Sequence, residues 1–299
     1  MSRYLSSESL TAGRTAHPYV LLDVFTDTPF SGNPLAVFPE AGAINEADMA
    51  HIASELNLSE TVFVTDRQPG RFAIRIFTPE CEIPFAGHPT VGTAWLIRAL
   101  GWHGSDSPLV LAEGIGDVPV RFSHRGVEFA TAKPLTVSEN SLSREQAAAI
   151  LGLPPHAVVS TPVMASCGLP YQLIELADLD RLGRARVDPA ALDNAVAEAS
   201  GRDLYLYVRQ PSNRLRTRMF APTFGIAEDP ATGSAAAPLI GYLASQCTDI
   251  GMSDWEIVQG VEMGRPSHIR GRVERSADGI ETIRIAGHAA IVGEGALYL

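Results

Sequence analysis

The chain has 299 residues, 45% of them hydrophobic and 19% charged, which is enough apolar material for one large domain or two. Its 23 basic and 34 acidic residues leave a net charge of −11, so there is no electrostatic reason to bind nucleic acid or an anionic membrane. No apolar run approaches the ~20 residues of a membrane-spanning helix, and Cys81, Cys167 and Cys247 have no metal-finger or redox spacing.

In chain order, the stretch before Pro18 is polar, lacks a signal peptide's apolar core and is expected to be poorly ordered. With the sparse cysteines this implies a protein of the reducing cytoplasm. Tyr19 to Phe25 reads as a buried strand, and Phe30-Ser-Gly-Asn-Pro as a turn into a second strand from Leu35 to Phe38. Asn45 caps a helix over Glu46 to Leu56, with Met49, Ile52, Ala53 and Leu56 on one face. Strands follow at Thr61–Val64 and Phe72–Phe77, then a helix with Pro89 in its first turn, running through Leu100. Further strands are expected at Leu109–Ala112, Val118–Phe122 and Val127–Ala130. Ser143 and Gln146 form a capping box for a helix from Arg144 to Leu151, which ends at Gly152. The segment from about Leu135 to Ser160 is the expected crossover. Beyond it come a helix near Ala190–Ala199, strands at Asp203–Val208 and Thr217–Phe220, and a helix from about Ser234 to Gln246. The last strands lie near Ile257–Gln259, His268–Val273, Thr282–Ala286 and Ala289–Val292.

One stretch occurs twice. Arg75 to Ile83 and Arg218 to Ile226 share Arg, Phe, Pro and Ile at an offset of 143 residues. Each copy leads through a Gly/Pro-rich turn into a helix of small apolar residues. A weaker echo relates Cys167-Gly-Leu-Pro to Ser31-Gly-Asn-Pro. Two copies so far apart indicate two related halves rather than a solenoid. The expected fold is α+β: two pseudo-symmetric lobes, each a curved, mostly antiparallel sheet around a buried central helix. The N-terminal lobe would span 18–134, completed by the last strand at about 285–299, and the C-terminal lobe 135–284.

Asp23-Val-Phe-Thr-Asp-Thr-Pro-Phe-Ser-Gly-Asn-Pro, Asn57-Leu-Ser-Glu-Thr-Val-Phe, Ala86-Gly-His-Pro-Thr-Val-Gly-Thr-Ala and Ala227-Glu-Asp-Pro-Ala-Thr-Gly-Ser-Ala, with Gln259-Gly and Met263-Gly-Arg-Pro-Ser, resemble the phenazine-biosynthesis PhzF-like family. That family has the diaminopimelate epimerase fold. The resemblance implies a cofactor-independent isomerase, and a homodimer. In the phenazine enzyme the Glu of the N-L-S-E-T motif shuttles a proton between ring carbons of a dihydro-hydroxyanthranilate; Glu60 holds that position. The resemblance assigns catalytic roles to Glu60, His88 and Asp229, and substrate binding to Gly87, Gly233 and Ser234. Diaminopimelate epimerases instead place one cysteine in each turn. Neither turn has one here, which disfavours a two-thiol racemase.

The residue types suit the chemistry. A carboxyl that both takes and gives a proton works best when burial raises its pKa towards neutrality, and Glu60 sits in apolar sequence. Neutral His88 can donate or accept, and Asp229 can anchor an amine or orient His88. Two helix N-termini favour a substrate carboxylate. Ser234 is expected to serve both as N-cap and as ligand contact. Asp23 and Asn33 read as structural turn and strand positions. The segment Met263–Ser267 either lines the cleft or closes a turn, and the three cysteines read as small buried fillers. The other histidines lack metal-ligand spacing and no phosphate-binding glycine loop occurs, so neither a metal nor a nucleotide is expected. The primary reading is a proton-shifting isomerase of a small cyclic or amino carboxylate. Its rivals are an epimerase of an amino-acid derivative and a non-catalytic small-molecule binder.

Overall fold

The computed structural model describes residues 13–104, 108–138, 142–196, 201–222 and 226–299. Strand β1 (Ala16–Val24) pairs antiparallel with β2 (Asn33–Phe38), which pairs parallel with β3 (Glu60–Gln68). β3 pairs antiparallel with β4 (Arg71–Phe77). β4 then lies parallel to Leu109–Glu113, from which two antiparallel steps reach Gly126–Ala130. The second half repeats the series. Val163–Ser166 and Pro170–Glu175 are antiparallel, Pro170–Glu175 and Leu204–Gln210 parallel, and Leu204–Gln210 and Arg214–Ala221 antiparallel. Arg214–Ala221 is parallel to Gly251–Gln259, and two antiparallel steps reach Gly279–Gly287. The repeated Arg-x-Phe stretch therefore ends the equivalent strand in both lobes.

The α-helices among the described residues are α1 (Glu46–Leu56), α2 (Gly87–Ala99), α3 (Arg144–Ile150), α4 (Leu179–Arg184), α5 (Pro189–Ala195) and α6 (Gly233–Ser245). α2 and α6 are the two central helices. Both are apolar around most of their circumference, so they bury every face inside a sheet. Gly92 shows why small residues are needed: a Cβ there would sit 2.6 Å from Leu35 Cδ2 and 2.7 Å from Val24 Cγ2. One apolar core runs through both lobes, from Leu22 and Val91 to Leu239 and Ile285. Separate clusters hold α1 against Phe38, Phe63 and Phe77, and α3 to α5 against Leu204 and Leu206.

The lobes are joined by strands as well as packing. Gly126–Ala130 pairs with Gly279–Gly287, and the last strand, Ala289–Tyr298, returns to pair with β1. That return overturns the expected disorder just before Pro18. Ala16 lies opposite Tyr298, Thr15 N–H donates to the Leu299 carbonyl, and His17 is buried. Residues 1–12 lie outside the described residues. The capping box at Ser143 and Gln146 forms as expected. The helix expected over Ala190–Ala199 stops at Ala195, where Val196 turns extended; 197–200 lie outside the described residues.

The Met263–Ser267 segment resolves to a turn. Arg265 donates to the carbonyls of Gly32 and Ser31 and pairs with buried Asp23. Asp23 also accepts from Phe30 N–H. Gly32, at φ 68, is required in this turn: a Cβ would lie 2.3 Å from the Val24 carbonyl oxygen. Cys81 and Cys247 are exposed, not buried fillers, and Cys167 is half-buried. Among the described residues no helix is long and apolar enough to cross a membrane.

Candidate active site

The two central helices begin against each other. A Cβ placed on Gly87 would lie 3.5 Å from both Gly233 Cα and Ser234 N. Glycine at both starts lets the backbones approach, so two sets of free helix N–H groups converge between the lobes. N-capping falls to Ala86 and Thr232, neither through a side-chain bond. Ser234 is therefore not the N-cap. It is the second helical residue, and its hydroxyl lies 2.7 Å from the Tyr171 hydroxyl.

Glu60 opens β3, and the parallel register sets it opposite Leu35. Asn33 and Pro34 are thereby brought to the same sheet end. Glu60 Oε2 lies 3.3 Å from His88 Nε2, with side chains only 13% and 5% exposed respectively. Neither atom has an aligned hydrogen-bond partner. The Pro34 carbonyl lies within hydrogen-bonding reach of the His88 ring.

Charge follows burial. Glu60 is pushed up to about 8, chiefly by desolvation and secondarily by the neighbouring Asp229 charge. His88 is pushed down to about 3 by desolvation, against its bond to Pro34. Asp229 rises to about 6 through burial, held back by hydrogen bonds from Thr232 and Asn33. At pH 7 the site thus holds a mostly neutral Glu60, a neutral His88 and a mostly ionised Asp229.

Asp229 is fixed by residues of both lobes. Asn33 Nδ2 donates to its Oδ1 at 2.9 Å and to the Ala231 carbonyl at 3.1 Å. The Thr232 hydroxyl donates to Oδ2. Gln259 Nε2 donates to the Asp229 carbonyl at 2.7 Å and to Thr232 Oγ1 at 2.9 Å, while its Oε1 accepts from Tyr205. Asn33 Nδ2 also stands 3.4 Å from His88 Nδ1, so Asn33 lies between Asp229 and the imidazole. Asn33 reads from the sequence as structural, Thr232 and Gln259 stand in motifs of the resemblance without an expected role, and Tyr171 carries no expectation at all. The N-P and P-A-T-G motifs containing Asn33 and Thr232 were the available signal; Tyr171 had none.

A cavity of about 70 Å³ opens at this point, with Glu60, Asp229, Thr232, Ser234 and Tyr171 among its polar walls and Phe85, Leu169 and Ile226 among its apolar ones. Glu60, Asp229 and Ser234 thus meet at one cavity. His88 sits behind Glu60, Gly87 lies behind the wall, and Gly233 lines an adjoining chamber. Among the described residues no cluster of three or more His, Cys, Asp or Glu could hold a metal.

A model of the phenazine biosynthesis-like protein family matches residues 22–295. An uncharacterized isomerase of Mesorhizobium japonicum is 39% identical over 298 residues, covering 94% of this chain and 98% of that protein. The trans-2,3-dihydro-3-hydroxyanthranilate isomerase of Pseudomonas aeruginosa is 36% identical over 293 residues, covering 95% and 100% respectively. Among solved structures, the PhzF-family phenazine biosynthesis protein of Bacillus anthracis superposes with a TM-score of 0.86, covering 95% of this chain and 100% of that one. Its sequence is 22% identical, so that likeness speaks for the fold, which is the two-lobed α+β architecture expected.

Proposed function

Because this chain belongs to the family of phenazine biosynthesis-like proteins, we propose that it is an isomerase that moves a proton between carbons of a small carboxylate through Glu60. The observation that carries the reading is the state of that carboxyl. It is buried, its Oε2 is unpartnered, and its pKa stands at about 8 on the wall of the interlobe cavity.

The step balances without a second base. The Glu60 carboxylate takes a proton from one substrate carbon, and the electron pair shifts through the conjugated system. The neutral acid so formed, favoured by burial, returns the same proton to another carbon on the same face. Neutral His88, with Nε2 3.3 Å from Oε2, backs Glu60 and keeps the acid aimed. The N–H groups at the start of α6 and the Ser234 hydroxyl hold the substrate carboxylate. Ionised Asp229 receives an amino or hydroxyl group. The proton is routed through Glu60 with no cofactor in the step.

Relatives named trans-2,3-dihydro-3-hydroxyanthranilate isomerase make that compound the first substrate to test. The family resemblance also supports a cytoplasmic homodimer acting on a small molecule, with neither nucleic acid nor membrane as partner. The test is proton NMR in heavy water: wild type incorporates deuterium at substrate carbon, and Glu60→Gln loses at least about a thousandfold of that rate. Undiminished incorporation by the folded variant refutes the role given to Glu60.

A further inference from the structure

Next to the catalytic cavity lies a second and larger chamber, about 320 Å³ against about 70 Å³. Ile83 and Phe85 from one lobe, with Leu169 and Ser234 from the other, line both. These four residues are the partition between them. The chamber is otherwise largely apolar, walled by Pro84, Ile115, Phe129 and Ala237. At its rim stands Lys133, the sole lysine of a chain with net charge −11. A Cβ on Gly168 would sit 4.0 Å from Lys133 Cγ, so the lysine stem runs along the Cys167–Leu169 turn of the opposite lobe. Among the described residues no carboxylate pairs with its ammonium.

The two chambers differ in chemistry. The first offers Glu60, Asp229 and the α6 N-terminus to a polar, reacting head group. The second offers an apolar lining and, at its rim beside the Cys167–Leu169 turn, the Lys133 ammonium, which no carboxylate among the described residues pairs. We propose that the second chamber receives the distal arm of the substrate, an apolar extension ending in an anionic group that meets Lys133. This rests on the proposed function for where the head group sits. It adds that the substrate extends beyond a single ring. Ser234 at the partition touches the junction of head and arm, and Phe85 and Leu169 select arms that pass between them.

The probes are 2-aminobutyrate, 2-aminooctanoate and 2-aminosuberate, which share a head and differ in arm length and terminal charge. Binding is measured by calorimetry to the wild type, to Ala132→Trp, an exposed rim position that intrudes on the chamber, and to Lys133→Ala. Circular dichroism checks that both variants are folded. In wild type, 2-aminooctanoate binds at least about tenfold tighter than 2-aminobutyrate, and 2-aminosuberate about threefold tighter again. Ala132→Trp removes both gains; Lys133→Ala removes only the second. Equal affinity for the three acids in wild type, or gains that survive both variants, overturns the proposal. Deuterium incorporation lost in Glu60→Gln keeps the proposed function standing in that case. Conversely, chamber-dependent binding with Glu60-independent exchange sinks the function and leaves the arm site.

Discussion

Glu60 Oε2 and His88 Nε2 face each other at 3.3 Å across the buried end of the first lobe's sheet. Burial moves the two pKa values apart, to about 8 and about 3. One proton then suffices for the pair, and it resides on the carboxyl. An acid that is neutral at rest and ionises within reach of neutrality is the form a carbon-to-carbon proton shuttle needs.

The first prediction is the pH dependence of exchange. A base must be ionised before it can take a proton. Deuterium incorporation should therefore rise about tenfold per pH unit below about 8 and level off above it. A rate that is flat or falling between pH 6 and 8 would remove Glu60 as the initial base.

Stability should show the same carboxyls with the opposite trend. Glu60 and buried Glu113 keep their protons up to about 8 when folded, against 4.5 ordinarily. In that interval the folded chain binds more protons than the unfolded one, so stability is fullest below 4.5 and is lost as pH rises through 8. His88 works the other way: it resists protonation until about 3, against 6.5 ordinarily, and so weakens the fold only as pH falls below 6.5. Between pH 6.5 and 8 the two glutamates govern, and stability should fall by roughly 1–3 kcal/mol per pH unit. Urea midpoints across that window test this. Glu113→Gln, whose amide oxygen still accepts from the Thr90 hydroxyl, should shallow the slope, and an unchanged slope would rule out Glu113 as a contributor.

Asn33 is expected to matter more than a strand residue would. Its amide bonds Asp229 Oδ1 and the Ala231 carbonyl, both buried in the second lobe. Asn33→Ala leaves those acceptors unpaired and should cost about 2–4 kcal/mol in denaturant unfolding. The Asp229 pKa should rise further, followed by carbon-13 NMR of its carboxyl. A loss below about half a kcal/mol would mean that water replaces the amide without penalty.

Arg265→Ala probes the tie between lobes apart from the chemistry. It strips buried Asp23 of its cation and frees the Ser31–Gly32 turn. The expected cost is about 3 kcal/mol, with exchange per folded molecule unchanged. A rate loss with the fold intact would place Arg265 in the active site after all.

Much of this was legible in the sequence because local physics writes it there. The spacing of apolar residues gave the strands, the small residues gave α2 and α6, and the Ser143 capping box gave its helix. Glu60 stood out through its motif. Ser234 looked like an N-cap because a serine before an apolar run normally is one, yet the start of α6 falls at Thr232 and frees the hydroxyl for Tyr171. Asn33 looked structural because its partner, Asp229, lies 196 residues away.

By itself the sequence determined that there are two related halves, which helices they enclose, and that their two turns carry different polar residues. Those properties depend on neighbours along the chain. Only the tertiary structure decided that the two helix starts touch, that Asn33 bridges one lobe to the other, and that Glu60 keeps its proton. The reason is physical: desolvation and hydrogen bonding between distant segments exist once the lobes close on each other, and no local pattern encodes how closely they do so.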